Sequence, residues 1–429
     1  MTCIGDTQNS IQPMSDQLLR AKHPELWATA VRYPAGLSAL TVPGEIRHTL
    51  LVKLPHQFLL TARMNRGFKV YVSPIQLGEI STIGLVSAFM DDDDCPLTVW
   101  TSLDPGLDSQ ALLRAFRSGY INVRMIDEHD REILAYQATV KVPLESRVRM
   151  DVAKFYKATH DLEHAMAEFG ATWFSTRIAE DDQQAISVRF DAPIYAEDRK
   201  FKDERPELFR FHGSTGFTEV SLVKLEPGQF QEVDIILLLQ RIFSPEQIYH
   251  SPRRVNDGEE ICDVLVITDD FCLIVQAKDY PNTEVMLAKS LKRKRAKAKS
   301  QLHEGCNQVA GAIGYFRRVR PLRFTIDDNE LEIDMGHRDI LSLVIVRERF
   351  DYDFKDYSTR LMALHQKINL PCLGIGYGEL IQLCTYCEGQ EGLRSAYMQL
   401  FYDALDTGIF KRMRFGIRDL FNADGEFRF

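Results

Sequence analysis

An aspartate, a glutamine and a lysine stand at positions 263, 276 and 278 inside two otherwise apolar runs, Ile261–Thr268 and Phe271–Lys278. Polar side chains in such runs are costly unless something satisfies them. A hard divalent cation would do so, since Mg²⁺ prefers oxygen ligands, needs only one or two from side chains and keeps several waters. Asp263 would give a charged oxygen, Gln276 a neutral amide oxygen and Ala277 its backbone carbonyl. Lys278 would orient or deprotonate a water, or neutralise charge growing on a phosphorane, while the cation acidifies water and polarises a phosphoryl oxygen. The chemistry this set supports is phosphodiester hydrolysis with Mg²⁺ or Mn²⁺.

Whether the three groups meet depends on a hairpin. With Asp269-Asp270 as a two-residue turn, Thr268 faces Phe271 and Asp263 falls opposite Gln276. Side chains alternate along a strand, so Lys278 projects on the same face as Gln276, one step further on. Around this hairpin the pattern predicts a helix from Pro227-Gly228 to about Phe243 and a strand over Gln247–Ser251. A long helical region follows from about Val285 to Arg317, then a strand at Ile340–Arg347, a helix around Tyr357–Lys367, a short strand at Pro371–Ile375 and terminal helices.

The spacing Asp-x₁₂-Gln-x-Lys, entered by Asp263-Val-Leu-Val and closed by Val275-Gln-Ala-Lys278, resembles the PD-(D/E)xK nucleases, in particular the Mrr-like restriction enzymes, in which a Gln replaces the more usual Glu. The resemblance covers roughly Glu226 to Val319 and implies a restriction-endonuclease-like αβββαβ core, DNA as the substrate and defence against foreign DNA as the setting. It also implies an acidic residue on the first core helix, which falls on Glu232, with Asp234 as the rival. No Pro-Asp dipeptide precedes the strand, and Gln276 leaves the cation one fewer negative charge.

The formal charge of −9 does not by itself predict a nucleic-acid partner, so any such contact needs a local patch. Lys289, Lys292, Arg293, Lys294, Arg295, Lys297 and Lys299 crowd the helix after Lys278. Leu287, Leu291, Ala298 and Leu302 make a narrow apolar stripe for the sheet, leaving the rest of the surface positive and suited to phosphates. Gln308, further along, faces either the site or plain solvent. The alternative function is a nuclease-like fold that binds nucleic acid without cutting it.

A chain of 429 residues is long for one core, and two domains are the expectation. Residues 1–150 read as an α+β domain of unknown role, with strands such as His48–Leu54, Phe68–Val72, Leu97–Thr101, Ile121–Ile126 and Ile133–Val142 and a helix over Ser109–Ser118. Residues 151–215 read as a helical segment, periodic from Val152 to Phe169, followed by a linker, and 216–429 as the nuclease-like domain. Overall the class is α/β, or α+β taken across the whole chain. The acidic run Asp91–Asp94 reads as a solvated loop.

Other patterns point elsewhere with less support. His160-Asp-Leu-Glu-His164 matches the H-x-x-E-H pattern of inverzincin peptidases but suits an exposed helix face equally well. Cys384-Thr-Tyr-Cys387 is a single C-x-x-C with Cys372 and His365 nearby, and free packed cysteines are the expectation. Gly374-Ile-Gly-Tyr-Gly378 lacks full dinucleotide-binding spacing and reads as a turn, and no Walker A segment is present. Eight irregularly spaced cysteines make no disulfide framework, Met1–Gln12 has no apolar signal core, and the longest apolar stretch, Val233–Leu239, is too short to span a bilayer. A cytoplasmic protein with no membrane partner is expected, its N-terminal domain free to sense, dock partner proteins or form a homo-oligomer.

Overall fold

The computed structural model describes residues 18–31, 35–92, 96–157, 159–226 and 228–412. The chain is a mixed α/β protein, and over the described residues it divides into two compact units, one within 18–90 and 96–199 and one within 91–92 and 200–412.

The first unit is built on eight strands: β1 (Gly36–Leu40), β2 (His48–Lys53), β3 (Gly67–Leu77), β4 (Ile80–Phe89), β5 (Leu97–Thr101), β6 (Tyr120–Ile126), β7 (Glu132–Lys141) and β8 (Ile186–Pro193). They form one sheet in the order β1-β2-β6-β7-β8-β3-β4-β5. Only β2 and β6 run parallel; the other neighbours are antiparallel. Its helices are α1 (Leu19–Lys22), α2 (Pro24–Ala30), α3 (His56–Met64), α4 (Leu107–Arg117), α5 (Leu144–Val152), α6 (His160–Ser175) and α7 (Ala179–Gln183). Trp100 on β5 fixes the seat of α6, because its ring fills the space that a side chain at Gly84 on β4 or Gly170 on α6 would need.

Two expectations for this half are corrected. The segment 151–215 is not a linker, since β8 lies between β7 and β3 in the middle of the sheet. Its alternating run Ile186-Ser-Val-Arg-Phe buries every second residue, a strand signal masked by the polar sequence around it. The helix expected from Val152 starts only at His160, where the Thr159 side chain accepts a hydrogen bond from the Leu162 amide and caps it. Both histidines of the H-x-x-E-H pattern lie on α6, and the His160 side chain lies outside the described residues.

The second unit opens with a two-stranded ribbon, β9 (Lys200–Asp203) against β10 (Thr218–Ser221), and continues with α8 (Gly228–Leu239) and β11 (Ile248–His250). Then come β12 (Val264–Ile267), β13 (Phe271–Lys278), α9 (Glu284–Leu287) and α10 (Leu291–Arg318). A hairpin of β14 (Leu322–Ile326) and β15 (Asn329–Ile333) precedes β16 (Asp339–Val346), α11 (Phe354–Ile368), β17 (Cys372–Gly376), α12 (Tyr377–Tyr386) and α13 (Gly389–Thr407). The central sheet has the order β11-β12-β13-β16-β17, antiparallel from β11 to β13 and parallel from β13 to β17.

Parallel pairing of β13 with β16 needs a long crossover, and α10 supplies it. The helix lies close on the sheet because Gly305 has no side chain: a Cβ there would come 2.4 Å from Val344 Cγ1 on β16. Val344 pairs with Gln276, so α10 covers the sheet face that carries Gln276. On the other face Phe243, after α8, meets Phe271 with ring centroids 6.0 Å apart. The β14–β15 hairpin was not expected. Its turn, Asp327-Asp328, has positive φ at both residues, as a two-residue turn of this hand requires. The Gly374–Gly378 segment is the end of β17 running into α12, where the Glu379 carboxylate accepts from the Gly376 amide at 2.7 Å.

Candidate functional site

The β12–β13 register pairs Val264 with Val275 and Ile267 with Cys272, and Thr268 N donates to Phe271 O at 2.9 Å. Asp263, the next residue out, falls opposite Gln276. At that point β12 leaves the ladder and its side chain takes over from its main chain: Ala277 N donates to Asp263 Oδ2 at 2.5 Å. A strand residue presents its N–H and C=O on the same edge, so the Ala277 carbonyl faces the same gap. The Asp269-Asp270 turn needs no positive φ; instead Thr268 Oγ1 accepts from the amides of Asp270 and Phe271.

Asp263 and Gln276 are 7% and 2% exposed, and Lys278 stands at the mouth with its side chain 18% exposed. With its NH₂ turned towards them, the Gln276 amide donates to Asp263 Oδ1 at 3.2 Å, to Asp263 Oδ2 at 3.1 Å and to Gln308 Oε1 at 3.2 Å. With its oxygen turned the same way, three acceptor groups converge on one point, an arrangement that a cation, a bridging water or a proton on Asp263 satisfies. Lys278 Nζ lies 3.2 Å from Glu304 Oε1. Burial, and then the neighbouring Glu260 carboxylate, push the Asp263 carboxyl up to about 7; the Ala277 amide and the Lys278 ammonium act the other way. Two carboxylates, an amide oxygen and a main-chain carbonyl make an oxygen donor set of the kind Mg²⁺ takes, so the residues present fit that ion.

Asp263, Gln276, Ala277 and Lys278 are thus brought together, with Gln308 facing them from α10. Glu260 and Glu304 were not anticipated. Glu260 is exposed in the loop before β12, tied by a bridge to Arg253, and Glu304 sits one turn before Gln308. Glu232 is engaged elsewhere: its Oε2 lies 2.9 Å from His250 Nε2. His250 pairs with Val264, which puts its side chain on the sheet face opposite Asp263 and Gln276. The rival Asp234 lies 2.5 Å from Lys224 Nζ.

The basic helix is less uniformly positive at its surface than its sequence suggests. Lys294 is 4% exposed, and its Nζ donates to Asp91 Oδ2 at 2.7 Å and to Asp91 O at 3.2 Å, so it presents no charge to solvent. The acidic run therefore does not simply face water, because the Asp91 side chain is 5% exposed; Asp93 and Asp94 lie outside the described residues. Arg295 makes a two-point contact with Asp353 at 2.7 and 2.8 Å, and Lys299 lies 3.3 Å from Asp353 and 3.0 Å from Asp356. Lys292, Arg293 and Lys297 are exposed and Lys289 is half-buried. Lys289, Arg293 and Lys297 line a cleft of about 510 Å³ with Asp279, Tyr280 and Met286, starting one residue beyond Lys278.

No family model, curated protein or solved structure matches the chain.

Elsewhere in the second unit the cysteines are packed rather than clustered: Cys384 is buried, Cys372 Sγ donates to Leu361 O at 3.3 Å, and His365 Nδ1 donates to Leu370 O at 2.9 Å. In the first unit His56, Asp127 and Glu128 form a buried group that could hold a metal ion. Among the described residues no helix is long and apolar enough to cross a membrane.

Proposed function

We propose that the second unit is a Mg²⁺- or Mn²⁺-dependent endonuclease of the PD-(D/E)xK, restriction-endonuclease-like kind, hydrolysing phosphodiester bonds of DNA. The single observation that carries this reading is the convergence of Asp263, Gln276 and Lys278 at one end of the β12–β13 hairpin, with the Ala277 main chain closing the gap. The element order α8-β11-β12-β13-α10-β16 supports it further.

When bound, the cation supplies Lewis-acid polarisation of the phosphoryl group and acidifies water. The protein's own residues do the positioning. Asp263 and Gln276 would hold the ion, with Glu260 as the additional carboxylate at the open side. Glu232, paired with His250 on the opposite sheet face, is not part of this set. Lys278 holds a proton at Nζ and sets positive charge beside the phosphoryl oxygens, whose charge grows as water's oxygen bonds to phosphorus and the ester oxygen leaves with a proton. Arg293, Lys297 and Lys289 offer charge to the flanking phosphates. Defence against foreign DNA is the biological setting this activity fits.

One observation favours a second reading, a nuclease-like fold that binds nucleic acid without cutting it: with its NH₂ inward, Gln276 satisfies Asp263 without any ion. Incubating the full chain with linear, circular and single-stranded DNA and with RNA, under Mg²⁺, Mn²⁺ or chelator, separates the two. Cleavage of DNA that needs the divalent ion and is lost in Lys278→Ala supports the first reading. Retention of DNA with no product in any condition replaces it with the second.

A further inference from the structure

In the first unit the parallel pairing of β2 with β6 brings two chain segments together. Leu54 N donates to Ile126 O at 2.9 Å, so the start of α3 lies beside the β6–β7 turn. That turn is a run of charge, Asp127-Glu128-His129-Asp130-Arg131-Glu132, of which all but Asp130 are buried. From α3, His56 reaches it, and only 6% of the residue is exposed.

Neither ring nitrogen of His56 has a hydrogen-bond partner. Burying both without one is costly, and a cation on one ring nitrogen, or a proton shared with the two carboxylates, would lower that cost. Its Nε2 lies 3.6 Å from Asp127 Oδ2 and its Nδ1 lies 3.4 Å from Glu128 Oε2. Both distances exceed a normal hydrogen bond of about 2.7–3.2 Å. One cation takes only one of the two ring nitrogens, so just one of these distances can be compared with the roughly 3.3–3.5 Å between two ligands on a tetrahedral zinc with bonds of about 2.0–2.2 Å, and the other carboxylate must close in on binding. One ligand atom from each of the three residues lies within 4.8 Å of the others.

Asp127 is held in place for such a role. Its Oδ1 accepts from the amides of His129 and Arg131, each at 2.9 Å, and its Oδ2 accepts from Arg131 Nε at 2.6 Å. Carboxylates that ligate metals are commonly oriented by such outer hydrogen bonds. Oδ2, the oxygen nearer His56, keeps a further lone pair for a cation.

We propose that His56, Asp127 and Glu128 bind one divalent cation of the zinc class, which pins the start of α3 to the β6–β7 turn. A nitrogen ligand beside two carboxylates suits Zn²⁺, Co²⁺ or Mn²⁺ better than Mg²⁺. The occupant it must be told apart from is a proton, which would make His56 an imidazolium bridging the two carboxylates.

The test uses the full chain stripped with chelator and titrated with Co²⁺ in excess Mg²⁺, which would compete for the all-oxygen site proposed for the second unit. Wild type is expected to take up one more equivalent of Co²⁺ than His56→Asn, with visible bands of a nitrogen-ligated ion, and its melting temperature should rise with Zn²⁺ while the variant's stays put. Equal stoichiometry in the two proteins overturns the proposal. So does a ¹⁵N spectrum of wild type in which both His56 ring nitrogens stay protonated with Zn²⁺ present. Should His56→Asn fail to fold, Glu128→Gln and the wild-type ring spectrum give the same decision.

Discussion

Lys278 Nζ on β13 and Glu304 Oε1 on α10 lie 3.2 Å apart, one step along from the contact between Gln276 and Gln308. Two residues apart on a strand span about 6.6 Å, and four apart on a helix span about 6 Å, so an antiparallel helix can meet both positions at once. α10 therefore serves as a ruler along the functional strand.

The pair itself is unequal in importance. The Glu304 side chain is 59% exposed, and exposed ion pairs contribute about 0–1 kcal/mol. Glu304→Ala is expected to slow Mg²⁺-dependent cleavage by less than about 10-fold. Lys278→Ala, which removes charge at the reacting phosphate, should slow it by about 10²–10³-fold. Single-turnover rates of the two variants check this, and equal losses would count against a direct role for Lys278.

Lys294 and its neighbours should separate cleanly. Lys294→Ala leaves the buried Asp91 carboxylate without this partner, which is expected to cost about 3–5 kcal/mol in urea unfolding and to leave the salt dependence of DNA binding unchanged. Arg293→Ala and Lys297→Ala should barely alter stability and should each lower the salt slope by about 1. A reduced slope in a folded Lys294→Ala protein would contradict this division.

Gly305→Ala should destabilise the second unit despite better helix propensity. Propensity gains about 1 kcal/mol, whereas the clash with the stiff Val344 side chain costs about 1–3 kcal/mol. In a Val344→Ala background the same change should become stabilising. Denaturant midpoints of the four proteins in this cycle give the answer.

Glu348 predicts a pH effect. Burial, with the Asp91 carboxylate adding to it, pushes its carboxyl up to about 7, above the ordinary 4.5. The folded protein therefore holds a proton that the unfolded chain has released, so this group's contribution to stability falls as pH rises from about 4.5 to 7 and then levels off. Glu348→Gln removes the loss. Its advantage over wild type in urea midpoint should grow between pH 5 and pH 8, and an advantage that shrinks would contradict the sign.

Much of this hairpin was legible because a strand reports itself twice, through alternation and through the turn that fixes register. Asp263, Gln276 and Lys278 needed only those two facts. The basic helix was misread for a reason also present in the sequence. Position 294 lies three residues after Leu291 and four before Ala298, on the buried stripe itself, so its charge had to turn inward. Glu260 was hidden because no local rule links a loop residue to a carboxylate three positions later; the bridge to Arg253 folds it back. Glu304 finds its partner 26 residues upstream, a distance that periodicity within one helix does not encode. The expected role of Glu232 at the ion had no local cue against it, and its pairing with His250 follows from the β11 register.

The hairpin's last stitch is made by an acid rather than by the peptide chain. Asp263 ties down the Ala277 amide, and under the proposed function it would also supply charge for an ion, so on that reading the cohesion of the sheet margin and the readiness of the centre are linked. A variant without the proposed chemistry would still need a short hydrogen-bond acceptor at 263 to hold the Ala277 amide.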